Sequence, residues 1–246
     1  MGDTVLRHDN NGVLTLTINR PERRNALDVA TYLALAEHIR AASASTDYRA
    51  IVVTGASNYF TAGNDLKDFQ KPRASGDSGG ITLLRSLIDC DLPVVAAVEG
   101  RAIGIGVTLL QHCDFICAAD DALFTIPFVA LGLCPEGASS VLLAQIVGAR
   151  RASDWLLRGK TFGAQEALEA GFITQVTNPG QALAIAQALG DELAALPPQA
   201  LQLSKRMMKH AQRPMLHETL NYEFGLFSER LQSEEAQAAV AKLLKK

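Results

Sequence analysis

PVVAAVEGRAIGIGVTLLQHCDF, residues 93–115, runs from a short apolar segment through a glycine-containing turn into a second apolar segment. The first segment has the length and uninterrupted apolar character of a strand buried on both faces of a sheet. Gly100, Gly104 and Gly106 allow the backbone to turn and to approach other groups closely. From Gly104 the pattern predicts a helix, whose first N–H groups have no partner inside the helix. The stretch therefore predicts a strand, a turn and a helix of an α/β protein.

The same elements recur on both sides of this stretch. TVLRHD and VLTLTIN alternate apolar and polar residues around Asn10–Gly12, which predicts a hairpin. A helix with Asp28 as its N-cap follows, and AIVVTG is another buried strand. DFICAA and ALFTIP predict further strands, and the chain is helical from Gln181 onward. We expect an α/β fold with a core of residues 1–195 and a helical segment of residues 196–246.

The composition argues against several classes of protein. The 246 residues are 48% hydrophobic with a formal net charge of -3, and no basic stripe indicates nucleic acid or a membrane surface. No apolar run reaches the length of a membrane span, and neither a signal peptide nor a targeting tripeptide is evident. The four cysteines lack zinc-binding spacing and are expected to be reduced and buried. The cytoplasm is the expected compartment.

Several common catalytic motifs are missing. GIG lacks the third glycine of a dinucleotide fingerprint, and no GxxxxGK[ST] occurs. EGASS does not supply the GxSxG of a serine hydrolase. His112 beside Cys113 could form a metal or nucleophile pair, but no second ligand lies at helical spacing. A hydrogen-bonded core or surface histidine is the favoured interpretation.

Two glycine-containing turns follow buried strands, YFTAGNDL at residues 59–66 and EGRAIGIG at residues 99–106. Unpartnered N–H groups at a helix start suit an anion, including one that exists only in a transition state. Either turn alone is more simply a strand-to-helix connection. Together they offer the paired N–H donors that an oxyanion hole requires. The irregular segment 58–80, which includes the first turn, is predicted to be a mobile binding loop.

A single acid stands out in LGLCPEGASS, residues 131–140. Glu136 lies between Pro135 and Gly137, directly after an apolar run. It could be a catalytic carboxylate, or an acid stabilised at the start of a helix that begins near Gly137. The residues alone favour the helix-start interpretation.

Four segments together resemble the enoyl-CoA hydratase/isomerase family, also called the crotonase superfamily. They are AIVVTGASNYFTAGNDL, PVVAAVEGRAIGIGVTLLQHCDF, ALFTIPFVALGLCPEGASS and GKTFGAQEALEAGFITQV. The resemblance implies a crotonase-like spiral of ββα units with a helical C-terminal segment that helps trimers or hexamers to form. It also implies an acyl-CoA thioester substrate, so that coenzyme A is part of the substrate and no other cofactor or metal is expected.

The resemblance also implies roles for individual residues. It assigns the two oxyanion donors to the backbone N–H groups of Ala62 and Ile105. Hydratases of the family use two glutamates, and Thr108 and Phe128 occupy those positions here. Without that pair of carboxylates, an ordinary hydratase is disfavoured. Glu136 in its PEG context resembles the single base of the peroxisomal-type Δ3,Δ2-enoyl-CoA isomerases.

Substrate-binding residues are expected along the same motifs. Arg23 and Arg24 could contact a CoA phosphate, whereas Lys67, Lys71 and Arg73 are better explained as solubility charges. Asn64 and Asp65 are expected to shape the loop over the nucleotide end of CoA, with an Asx-type turn as the alternative. Phe128, Leu131 and Leu133 are expected to exclude water and to raise the pKa of Glu136. The full predicted set is Arg24, Ala26, Gly63, Asn64, Asp65, Leu66, Gly106, Phe128, Leu131 and Pro135.

Three functions follow from these expectations. The first is an isomerase that moves the double bond of a 3-enoyl-CoA. The second is an atypical hydratase, lyase or hydrolase of the same fold, for which Thr108 is the available second polar group. The third is a non-catalytic acyl-CoA binder, which the intact turns and Glu136 argue against.

Overall fold

Strands and helices alternate along the chain, and the computed structural model describes residues 3–68 and 78–244. Within those ranges nine strands occur: β1 (Val5–Asn10), β2 (Val13–Ile18), β3 (Ala50–Gly55), β4 (Val94–Val98), β5 (Arg101–Ile103), β6 (Phe115–Ala119), β7 (Leu123–Thr125), β8 (Phe162–Gly163) and β9 (Gln175–Thr177). The same ranges contain the α-helices α1 (Val29–Ala44), α2 (Gly79–Asp89), α3 (Ile105–Thr108), α4 (Ser139–Val147), α5 (Ala149–Leu157), α6 (Ala164–Glu169), α7 (Ala182–Ala194), α8 (Pro198–Lys209), α9 (Arg213–Leu231) and α10 (Glu234–Leu244).

The main sheet has six strands in the spatial order β1-β2-β3-β4-β6-β9. β1 and β2 form the predicted antiparallel hairpin, with Val5 opposite Ile18, and the later neighbours pair in parallel. A second sheet contains three strands in the order β5-β7-β8. Because strand pairs and helices recur along the chain, the predicted α/β class and its ββα units are confirmed.

Helices cover both faces of the main sheet, as its apolar strands predict. On one face, Val52 of β3 packs in a cluster with Ala186 of α7. On the other face, Ile51 belongs to the cluster that contains Leu35 of α1 and Leu84 of α2. Successive residues of β3 therefore contact opposite layers, as the alternation of side chains along a strand requires.

Local sequence signals explain where two helices begin. α1 begins after Asp28, whose Oδ1 accepts the backbone N–H of Thr31 at 2.9 Å, so the predicted N-cap is confirmed. The helix predicted from Gly104 is short, because α3 passes into a 3-10 segment at Leu109–His112. The N–H of Ile105 is at the start of α3, where no intrahelical acceptor exists.

The irregular segment predicted at residues 58–80 is only partly described. Its last two residues, Gly79 and Gly80, belong to α2, which Ser78 caps by accepting the N–H of Ile81. Residues 69–77, which include Lys71 and Arg73, lie outside the described residues, so the prediction of a mobile binding loop falls partly outside them.

The C-terminal helices pack against the rest of the chain. α9 contacts α2 and α4. On α8, the buried Lys205 forms an ion pair with Asp114 at 2.6 Å and donates to the carbonyl of Leu92 at 2.7 Å. Within residues 3–68 and 78–244, no helix has the length and apolar character needed to cross a membrane. The domain boundary at residue 195 stays a prediction.

The two glycine-containing turns are packed directly against each other. Thr61 lies beside β5 like an extra strand: its N–H donates to the carbonyl of Arg101 at 3.1 Å, and its carbonyl accepts from Ile103 at 3.0 Å. A Cβ on Gly63, whose φ is +83°, would lie 2.5 Å from the Ile103 carbonyl oxygen. A Cβ on Gly106 would lie 2.4 Å from Cγ2 of Thr61. Only glycine at both positions allows this approach.

Gly63→Ala should lower the free energy of unfolding by clearly more than Gly180→Ala. The two glycines have similar positive φ values, +83° and +78°, so both variants carry a backbone cost of about 1–2 kcal/mol. Gly180 has no atoms within 4 Å of the added Cβ, whereas Gly63 adds a backbone clash. Urea unfolding of both variants measures the difference, and equal losses would contradict the proposed close packing of the turns.

Candidate active site

A pocket lies between the two turns, the loop that carries Glu136 and helix α9. Its wall includes Asn64 from the first turn and Ile105 from the second. Glu136 lines it from the loop, and Glu223 and Phe227 line it from α9. Elements that are far apart in the sequence therefore meet around one cavity, and two carboxyl groups belong to its wall.

In the first turn, the residue whose N–H group is available differs from the predicted one. The N–H of Ala62 donates to the carbonyl of Arg24 at 3.0 Å, so it is already partnered. The structure thus contradicts the prediction that Ala62 supplies an oxyanion donor. Two residues later, Asn64 lines the pocket, and its N–H has no acceptor within the described residues. The N–H of Ile105, at the start of α3, also has no acceptor within the described residues, as predicted.

Strand-like pairing explains why the N–H of Asn64 is available. Leu27 forms a parallel bridge with Asn64: its N–H donates to the Gly63 carbonyl at 2.8 Å, and its carbonyl accepts the N–H of Asp65 at 2.9 Å. In this pattern the N–H and carbonyl of the residue in between point away from the partner strand. The side chain of Asn64 is held as well, because its Oδ1 accepts the Tyr32 hydroxyl at 2.8 Å.

Glu136 is half-buried, and its accessible surface lines the pocket. The Thr108 hydroxyl donates to its Oε1 at 2.5 Å. Burial raises the pKa of Glu136 from 4.5 to about 8, the Thr108 hydrogen bond opposes that rise, and the charge of Glu223 adds to it. Such a carboxyl is mostly protonated at neutral pH, and once ionised it is a stronger base than an exposed glutamate.

Glu223 is a buried carboxyl group of the pocket wall that the sequence did not reveal. It is 3% exposed, and its Oε2 accepts the N–H of Ala138 at 2.6 Å. Its Oε1 accepts the N–H of Ser140 at 2.9 Å and the Ser140 hydroxyl at 2.5 Å. Glu223 therefore occupies the N-terminus of α4, the place that the helix-start interpretation gave to Glu136. One signal was present, since Glu223 shares the buried stripe of α9 with Leu216, Leu220, Phe227 and Leu231.

His112 braces the same loop from the opposite side. Its ring is buried, and Nε2 lies 2.9 Å from the carbonyl oxygen of Gly137. Since a carbonyl can only accept, Nε2 carries the hydrogen and donates it. Burial lowers the pKa of His112 to about 4, so the ring is neutral. The interpretation of His112 as a hydrogen-bonded core histidine is confirmed.

The other predicted substrate-binding residues fall into different environments. Arg20 pairs with Asp65 at 3.1 Å, and Asp65 Oδ1 accepts the N–H of Lys67 at 3.2 Å, which is the Asx-type turn named as the alternative. Phe128 is buried and packs edge-on against Phe227, with ring centroids 6.1 Å apart. Arg24 is exposed, whereas Ala26, Leu66, Leu131 and Pro135 are half-buried.

Among the described residues, the cysteines and other potential metal ligands form neither a disulfide nor a metal-binding cluster. All four cysteines are unpaired, and burial raises the pKa of Cys113 to about 12 and that of Cys117 to about 11. Within the described ranges, no group of three or more histidine, cysteine, aspartate or glutamate side chains is arranged to hold a metal ion.

Glu136→Gln should stabilise the protein by a margin that grows as pH rises from about 4.5 to about 8. The unfolded chain releases this proton near the ordinary pKa, while the folded protein retains it to higher pH, so rising pH favours unfolding. Glutamine removes the charge but can still accept the Thr108 hydrogen bond. Thermal unfolding at both ends of that pH range measures the margin. The exposed Glu37 of α1 provides the control: an equal pH effect in Glu37→Gln would contradict the assignment.

Comparisons with known proteins agree with the resemblance. Residues 8–246 match the enoyl-CoA hydratase/isomerase family. Human enoyl-CoA delta isomerase 2 is 32% identical over 250 residues; the match covers 98% of this chain but 63% of the relative, so the chain spans less than two thirds of that protein. The 2,3-dehydroadipyl-CoA hydratase of Escherichia coli K12 is 32% identical over 236 residues, covering 95% of this chain and 92% of that protein.

A solved structure extends the agreement to three dimensions. The enoyl-CoA hydratase/isomerase from Pseudoalteromonas atlantica superposes with a TM-score of 0.95 at 38% sequence identity. The superposition covers 99% of this chain and 97% of that one. The chain therefore belongs to the enoyl-CoA hydratase/isomerase family and has the crotonase fold.

Proposed function

We propose that this chain is a Δ3,Δ2-enoyl-CoA isomerase that acts in fatty-acid or related acyl-CoA metabolism. Glu136 is its single base, and the N–H groups of Asn64 and Ile105 form its oxyanion hole. One observation carries the proposal: a carboxyl group shares a pocket with two residues whose N–H groups have no acceptor among residues 3–68 and 78–244. Proton transfer next to a thioester needs both of these elements.

The reaction balances with one carboxyl group. Ionised Glu136 takes a proton from C2 of a 3-enoyl-CoA, and the electrons of that bond move into the thioester. Negative charge collects on the thioester oxygen, where the N–H groups of Asn64 and Ile105 donate to it. Protonated Glu136 then returns the proton at C4, the double bond lies between C2 and C3, and the base is regenerated. One such N–H donor can lower the barrier by about 3 kcal/mol.

The surroundings of Glu136 favour isomerisation over hydration. Adding water requires a second group that holds the water or delivers a proton. Thr108 is already a donor to Glu136, and Phe128 packs against Phe227 where a hydratase would have a carboxylate. Glu223 also lines the pocket, but both of its oxygens already accept hydrogen bonds. A hydratase is among the relatives at 32% identity, so these residues carry the distinction.

The raised pKa of Glu136 predicts how activity depends on pH. Because the base must be ionised to accept a proton, kcat/KM should rise about tenfold per pH unit below about pH 8 and level off above it. Steady-state rates across that range measure the profile. A profile that is flat from pH 5 to 9 would remove Glu136 from the proposed role.

The activity itself is tested with two substrates. Purified protein should conjugate 3-hexenoyl-CoA, seen as rising ultraviolet absorbance, and should leave 2-hexenoyl-CoA unhydrated. Glu136→Gln should lower kcat by roughly 10²- to 10⁴-fold, since the amide cannot accept the proton. Glu37→Gln should behave like the unaltered chain. Hydration of 2-hexenoyl-CoA without isomerisation of 3-hexenoyl-CoA would overturn the proposal in favour of the atypical hydratase.

The remaining expectations stay predictions. Trimers or hexamers, binding of CoA phosphates by Arg24 and a cytoplasmic location all derive from the resemblance or from composition.

A further inference from the structure

Glu223 holds the turn that carries the proposed base. It is the buried acid of α9, and three donors of one short segment converge on it: the N–H groups of Ala138 and Ser140 and the hydroxyl of Ser140. Three donors aimed at one carboxyl group favour its ionised form, against the burial that raises the pKa of Glu223. The contact joins two positions that are 85 residues apart in the sequence.

The segment that Glu223 holds has an unfavourable backbone conformation. Gly137 has a φ of +76° and Ala138 a φ of +60°, so two successive residues adopt the left-handed conformation. A side chain at position 138 makes this conformation costly, and such strain persists only where the surroundings enforce it. A turn can direct its N–H groups toward one side, where an anion can bind them, as the N–H groups of Ala138 and Ser140 are directed here. The carboxylate of Glu223 occupies that side.

The strained turn places Glu136 against its partner. A Cβ on Gly137 would lie 2.8 Å from Cβ of Thr108, so the loop passes as close to α3 as its backbone allows. This approach brings the carboxyl group of Glu136 to 2.5 Å from the Thr108 hydroxyl. His112, in the 3-10 segment that follows α3, donates to the carbonyl of Gly137, and Glu223 on α9 accepts the following N–H groups.

We propose that Glu223 is a positioning residue whose carboxylate anchors the 137–140 turn and thereby holds Glu136 in its reactive place. The inference rests on the proposed function, because it assigns Glu223 a part in the same reaction. Glu223 does not exchange protons with substrate: each of its oxygens already accepts a hydrogen bond from the turn.

The charge of Glu223 also reaches Glu136. Among residues 3–68 and 78–244, the polar groups near Glu136 are Thr108 on α3, Tyr32 on α1, Cys134 in the same loop, the neutral ring of His112 behind Gly137, and Glu223 on α9. Tyr32 and Cys134 carry no charge near neutral pH, because the pKa values of both are raised. Glu223 is thus the anionic neighbour that makes Glu136 harder to ionise.

Glu223→Gln tests both effects. The amide cannot accept all three hydrogen bonds and carries no charge, so we expect kcat to fall roughly tenfold or more while KM changes little. The acidic limb of the kcat/KM profile should move to lower pH. Glu229→Gln, at an exposed position of the same helix, is the matched control and should change neither quantity. An unchanged kcat in folded Glu223→Gln, or an equal fall in the control, would overturn the proposal.

Ser140→Ala separates the effect of the hydrogen bonds to Glu223 from the effect of its charge on Glu136. It also provides a test if Glu223→Gln does not fold. It removes one of the three donors and keeps the carboxylate, so kcat should fall by a smaller factor with the pH limb unmoved. Full activity in Ser140→Ala, with Glu223→Gln unable to fold, would overturn the positioning role.

A readout without turnover distinguishes this inference from the proposed function. The infrared carbonyl band of protonated Glu136, identified by its loss in Glu136→Gln, can be titrated in each variant. Its midpoint should be lower in Glu223→Gln than in the unaltered chain and unchanged in Glu229→Gln. If the unaltered chain does not isomerise 3-hexenoyl-CoA, the proposed function fails. The titration then tests the inference about Glu223 by itself: a lowered midpoint in Glu223→Gln supports it, and an unchanged midpoint overturns it.

Discussion

The contact between the two glycine-containing turns is the constraint on which the rest of the site depends. Thr61 extends the small sheet beside β5, and the missing side chains of Gly63 and Gly106 let the two backbones meet. This contact brings Asn64 and Ile105, which follow different strands, into one pocket wall. Any side chain at either glycine would push the N–H groups apart, so the geometry of the proposed oxyanion hole is set by packing rather than by polar residues.

Glu136 shows how reactivity and stability oppose each other in this fold. The apolar setting that makes its carboxylate strongly basic also makes the ionised form unfavourable in the folded protein. The chain limits that penalty with one hydrogen bond from Thr108 and places the fully bonded carboxylate of Glu223 nearby. The two acids have different surroundings: Glu136 faces the pocket with one hydrogen bond, whereas both oxygens of Glu223 accept hydrogen bonds from the turn.

Much of the architecture could be predicted from local patterns, because those patterns report on neighbours close in sequence. The hairpin, the buried strand β3 and the N-cap at Asp28 are of this kind, and so is the position of Glu136 beside glycine and proline. The direction in which a backbone N–H group points cannot be predicted in this way. Whether Ala62 or Asn64 offers its N–H depends on pairing with Arg24 and Leu27, which no local pattern encodes. Glu223 was missed for the same reason, since its partners lie in a distant loop.

The place of α9 in chain order has a consequence for the biosynthesis of the protein. Leu220, Glu223 and Phe227 belong to the pocket wall, yet they follow every strand of both sheets in the sequence. A ribosome-bound chain can therefore complete its sheets while the turn at Ala138 still lacks its anion. Docking of α9 then finishes the pocket, so the site is completed after the sheets that frame it and not together with them.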